Sequence, residues 1–114
     1  MHSTLPKIRA EITLLPTARG PRRIYAAKYM PHIVVGSPDQ RQAVVDPQRG
    51  IIEEYLGVLF SDGPNTIEIG IPTIVELTLM YSPQVDYSSM TIGTTFTIRE
   101  GGTIVGFGRA ISGV

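Results

Sequence analysis

The chain has 114 residues, 42% of them hydrophobic and 18% charged, with no cysteine and a formal net charge of zero. A chain of this length supports one domain that buries roughly 60–70% of its unfolded surface, so a core forms without a disulfide or metal staple. The missing cysteine excludes disulfides, thiolate nucleophiles and zinc–thiolate sites, and no apolar run reaches the roughly 18 residues of a membrane-spanning helix. Residues 1–7 carry no apolar leader stretch, so a cytoplasmic location is expected.

The first element is Lys7-Ile8-Arg9-Ala10-Glu11-Ile12-Thr13-Leu14. Its apolar and polar residues alternate, the pattern of a strand buried on one face. Pro16 ends it, and Thr17-Ala18-Arg19-Gly20-Pro21-Arg22-Arg23 is a polar loop. Residues 24–30 can resume extended structure, and Ile33-Val34-Val35 is a short strand after Pro31. Residues 39–50 form a polar run interrupted by Ala43-Val44-Val45. Tyr55-Leu56-Gly57-Val58-Leu59-Phe60 is aromatic and apolar enough to be a buried strand, and Ser61-Asp62-Gly63-Pro64-Asn65 is a turn.

Alternation then dominates. Thr66-Ile67-Glu68-Ile69 reads as a strand, and residues 73–81 as a longer one with Val75, Leu77, Leu79 and Tyr81 facing the core. Thr94-Thr95-Phe96-Thr97-Ile98-Arg99 follows with Phe96 and Ile98 inward. Glu100-Gly101-Gly102 turns the chain back through residues 103–111, the glycines supplying a turn that needs positive φ. Gly106 and Gly108, two apart on that last strand, mark a sharp bend or a close backbone approach. Eight or so short strands and no strong helix predict an all-β domain over residues 1–114. The middle region, about residues 37–66, is enlarged.

Catalytic signals are weak. His2 and His32 lie far apart, so no metal-ligand spacing exists, and no Gly-x-Ser-x-Gly elbow accompanies Ser37. His32 is better read as a half-buried structural histidine. Glu53-Glu54 is read as a solvated acidic patch, since adjacent residues diverge in a strand or a helix. The run Gly101-Gly102-Thr103-Ile104-Val105-Gly106 lacks the lysine and hydroxyl of a phosphate loop and precedes no helix. No catalytic residue, metal ligand or nucleotide cofactor is therefore expected.

Charge is unevenly spread. Residues 1–49 hold eight basic and three acidic side chains, and residues 50–114 hold two and seven. In a closed barrel the two halves interleave in space. The densest basic group is Arg19, Arg22 and Arg23 with Lys28 close behind, interleaved with Tyr25 and Tyr29. Arginine forks grip phosphate and tyrosine stacks on bases, but such a loop also reads as a solvated hairpin tip.

The stretch Thr95-Phe96-Thr97-Ile98-Arg99-Glu100-Gly101-Gly102-Thr103-Ile104-Val105-Gly106-Phe107-Gly108 resembles the end of translation elongation factor Tu. Lys7-Ile8-Arg9-Ala10-Glu11-Ile12 is similar to the opening strand of that factor's third domain. Gly20-Pro21-Arg22-Arg23 and Tyr29-Met30-Pro31 resemble two further segments of it. The family's Pro-Gly-Asp turn is replaced by Gly70-Ile71-Pro72, and a family lysine is missing near Tyr81-Ser82. The resemblance implies a small closed antiparallel barrel of about six strands. It also implies T-stem contacts of aminoacyl-tRNA at Arg99 and Gly101, and at Arg22 and Arg23. The family's GTPase and second domains have no counterpart here, so GTP hydrolysis is not expected.

Two functions follow as expectations. The first is a non-catalytic module that binds an unidentified protein partner or a second copy of itself. The alternative is binding of tRNA or another structured RNA through a basic surface around Arg22, Arg23, Lys28, Arg99 and Gly101. A small hydrolase is the least favoured, because no nucleophile–base pair is visible.

Overall fold

A computed structural model describes residues 5–16, 29–51 and 53–113. Its strands are β1 (Lys7–Leu14), β2 (His32–Val35), β3 (Val45–Asp46), β4 (Gly50–Ile51), β5 (Leu56–Asp62), β6 (Thr73–Leu79), β7 (Thr95–Glu100) and β8 (Thr103–Ala110). Six of them close a barrel in the order β1-β6-β5-β2-β7-β8, with every neighbouring pair antiparallel. β3 and β4 form a separate two-stranded hairpin. The expected small all-β barrel is what the chain forms. Among the described residues no helix is long and apolar enough to cross a membrane.

The period-2 patterns set which way each strand faces. On β1, Ile8, Ala10, Ile12 and Leu14 are all buried, while Lys7, Arg9 and Glu11 are exposed. The inward residues of β6 (Val75, Leu77, Leu79) and β7 (Phe96, Ile98) meet them in one core with Phe60, Ile67 and Met90. Burial of these side chains, at roughly 1.5–3 kcal/mol each for the larger ones, is what holds the barrel shut. Because β1 lies between β6 and β8, basic and acidic halves of the chain do interleave. Arg9 sits opposite Glu76, Glu11 opposite Arg109, and Lys7 Nζ lies 3.7 Å from a Glu76 carboxylate oxygen.

Closure is tightest where β8 crosses β1. A Cβ at Gly106 would lie 2.8 Å from the Thr13 carbonyl oxygen, and one at Gly108 only 2.7 Å from that of Glu11. The expected close backbone approach is therefore met at both glycines. On the other side of β8 a bulge places Ile98 opposite Gly106 but Arg99 opposite Ile104, which leaves Val105 as the extra residue. Ile104 and Val105 are consequently both buried in succession.

Two details differ from the sequence pattern. Residues 66–69 form no strand; only an isolated parallel bridge joins Ile69 to Leu14. Ile67 is nonetheless fully buried, so its alternation reflects core packing of an irregular segment. Tyr81, expected inward, is 49% exposed, because β6 ends at Leu79 and the chain turns before reaching it. Its ring instead covers Gly57 from outside, 2.2 Å from where a Cβ there would stand. Tyr87 takes the inner place: its hydroxyl donates to the Gly57 carbonyl at 2.6 Å and accepts the Tyr81 N–H at 3.1 Å.

Candidate functional site

β7 is buried on both faces. Phe96 and Ile98 point into the barrel, as their spacing requires, yet Thr97 and Arg99 on the outer face are also inaccessible. The cover is the excursion between β2 and β5, residues 37–55, which leaves the barrel after Val35 and returns at Leu56. Its tip is the β3–β4 hairpin, where Val45 pairs with Ile51 and Asp46 with Gly50. An Asp46 carboxylate oxygen accepts the N–H groups of Gln48 and Arg49, closing the turn.

The excursion is fastened by charge. Arg99 Nη1 donates to Glu53 Oε1 at 2.7 Å and Nη2 to Oε2 at 2.9 Å, a two-point fork. Nη1 also reaches the Tyr55 hydroxyl at 3.2 Å, and Nε the Thr97 hydroxyl at 2.9 Å. The guanidinium lies 5.5 Å from the centre of the Tyr55 ring, and that ring is tilted against His32 at 5.8 Å. Glu53 takes two further hydrogen bonds, from Gln40 Nε2 at 2.7 Å and from the Val44 N–H at 2.9 Å. With these donors around it, the Arg99 guanidinium foremost, the Glu53 carboxyl is held down at about 2. Arg99 is shifted upward, chiefly by its hydrogen bond to Glu53.

This overturns the expected surface role of Arg99. Its side chain is fully buried, and its guanidinium grips a carboxylate of the same chain instead of facing a phosphate. Nothing local to Ile98-Arg99-Glu100 signals this, because the covering segment comes from 46 positions away. Glu53, read as part of a solvated acidic pair, is turned inward; only Glu54 is exposed. Gly101 behaves as expected for the β7–β8 turn, with φ +59° and an exposed position. His32 is half-buried. Arg22, Arg23 and Lys28, with Arg19, Tyr25 and the hairpin tip they were assigned to, lie outside the described residues.

Glu53, Tyr55 and Thr97 are the partners that sequence reading passed over. The one available signal was the pairing of an arginine and a threonine on the outer face of a strand whose neighbours are apolar. Among the described residues no three His, Asp or Glu side chains are grouped to hold a metal ion.

Around this anchor the surface carries apolar side chains. Val44 is 50% and Val45 60% exposed on the hairpin arm, and Val35 is 40% exposed at its base. A groove of about 330 Å³ opens between β2 and the returning segment, lined by Val34, Val35, Glu53, Glu54, Leu56 and Ser89. No protein-family model matches the chain, and no curated protein matches it.

Proposed function

We propose that the protein is a non-catalytic binding module, a barrel of the elongation factor Tu third-domain kind. It works through protein–protein contact made by residues 37–55. The observation that carries this reading is the arm itself. Exposed Val44 and Val45 stand outside the barrel on a segment that the Glu53–Arg99 pair holds in one position. A patch that is apolar and already ordered loses little conformational freedom on binding. The same geometry weighs against an RNA interface centred on Arg99, whose donors are engaged with Glu53, Tyr55 and Thr97. An RNA surface would then rest on Arg22, Arg23 and Lys28.

The test pairs sedimentation with affinity capture from a cytosolic extract, comparing the native chain with Val45→Asp. The expected result is a self-associated species or a captured protein that Val45→Asp abolishes while the fold survives. A salt-sensitive tRNA complex, with no protein association affected by Val45→Asp, would overturn the reading in favour of RNA.

A further inference from the structure

The β2–β5 seam of the barrel is short among the described residues. β2 and β5 are joined over only two register pairs, His32 with Gly57 and Ile33 with Leu56. Beyond β2 the ladder extends the other way through Pro31 and Tyr29, whose carbonyls accept the Val58 and Phe60 N–H groups. Odd-numbered residues of this stretch thus present their backbone to β5, and even-numbered ones to β7, as Gly36 does in donating to the Thr95 carbonyl at 3.0 Å. The next odd residue is Val35. In register it would face Glu54, but the returning chain has swung away to carry Glu53 to Arg99. Val35 has no register partner on that side, and among the described residues no backbone bond joins it to Glu54.

Val35 lines the groove between β2 and the returning segment. One wall is apolar, made by Val34, Val35 and Leu56; another bears the exposed Glu54 beside the engaged Glu53, and Ser89 closes the third side. An open rung of a β-ladder selects an extended backbone, because only an extended chain offers a donor and an acceptor at strand spacing. Glu54 has no hydrogen-bond or ion-pair partner among the described residues, so the charge left to be matched is negative.

We propose that this groove receives an extended peptide segment of a partner protein, which pairs with Val35 and sets a lysine or arginine side chain against Glu54. The inference rests on the protein-binding reading above and names its partner's chemistry. The barrel thereby gains one short strand beside the β2–β5 pairing.

Two synthetic octapeptides test this, one of alternating lysine and valine and one of alternating glutamate and valine. Each is titrated into the full chain while amide exchange at Val35 is followed by NMR. The expected result is saturable binding of the lysine peptide alone, with exchange at Val35 slowed about tenfold or more at saturation. Glu54→Lys, an exposed substitution, should weaken that binding about tenfold and leave the spectrum of the free protein folded. Binding of neither peptide, equal binding by Glu54→Lys, or an unprotected Val35 amide in the complex would each overturn the proposal. If those results come with a protein association still abolished by Val45→Asp, the groove assignment falls and the binding-module reading stands. If the lysine peptide protects Val35 while no Val45-dependent association exists, the groove stands and the arm's role falls.

Discussion

The Arg99 guanidinium and the Glu53 carboxylate meet in a two-point fork at 2.7 and 2.9 Å across 46 positions of chain. Together with the Tyr55 hydroxyl on the same guanidinium and Arg41 5.3 Å from the centre of the Phe107 ring, they attach the segment 37–55 to the barrel wall. Arg99 is also among the largest side chains that the fold buries completely. Removing one partner leaves a desolvated charge, so Arg99→Ala should cost about 3–5 kcal/mol, read by urea denaturation. Arg99→Lys keeps the charge but loses the fork and should fall between the two. Replacing both residues with apolar ones of similar size should recover most of the loss; a double variant as unstable as Arg99→Ala would refute the pairing as its cause.

Acid should weaken this attachment. The Glu53 carboxyl, ordinarily near 4.5, is held at about 2 in the folded chain. The unfolded chain therefore takes up this proton first as pH falls, and the native state loses stability between about 4.5 and 2. Above that window the contribution is fully present. Glu53→Gln should flatten the dependence of unfolding free energy on pH in this range while lowering stability at neutral pH. Urea midpoints at pH 6, 4 and 3 are sufficient to show it.

The two kinds of glycine in the β7–β8 hairpin should respond differently to alanine. At Gly108 the added methyl would lie 2.7 Å from both the Glu11 carbonyl oxygen and the Phe96 ring, so the strands must part, at a cost of about 1–3 kcal/mol. At Gly101 nothing stands within 4 Å, but φ is +59°, and the cost is the left-handed backbone alone, about 1 kcal/mol. Thermal unfolding of the two variants should rank Gly108→Ala as the more damaging.

Tyr87→Phe removes a hydroxyl that serves two backbone groups, the Gly57 carbonyl and the Tyr81 N–H. The Gly57 carbonyl keeps the Met80 N–H at 3.3 Å, so the loss is that of the hydroxyl's own hydrogen bonds, about 0.5–1.5 kcal/mol each. Faster amide exchange at Tyr81 would locate the effect; unchanged exchange there would show that the hydroxyl does not protect this amide.

Val45 adjoins Val44, whose N–H bonds Glu53, but its own side chain is exposed, so Val45→Asp should change stability by no more than about 0.5 kcal/mol. A larger loss would mean that the arm packs more firmly than its 60% exposure indicates.

The barrel was legible because its strands are half-buried and alternate cleanly. Lys7 to Leu14 displays its inner face letter by letter, and the glycine spacing on β8 points to the strand crossing that Gly106 and Gly108 permit. The anchor was not legible, for the same reason in reverse. Alternation tells which face of β7 turns inward, but it carries no word of a distant segment folding over the outer face. Arg99 and Thr97 therefore look solvent-facing until Glu53 and Tyr55 are placed beside them. Tyr81 misled because a pattern continues through a turn that a strand does not.

The β3–β4 arm takes no part in closing the barrel, and among the described residues its turn is held by the Val45–Ile51 and Asp46–Gly50 pairing and by the Asp46 carboxylate. Residues 46–50 therefore sit where the chain can lengthen, shorten or change its letters without any effect on how the six strands meet. Across relatives this turn should drift fastest, and in the laboratory it is the natural place to splice in a dye-labelling tag or a foreign epitope. The fold divides its labour: a frame that tolerates little change carries a fingertip that tolerates a great deal.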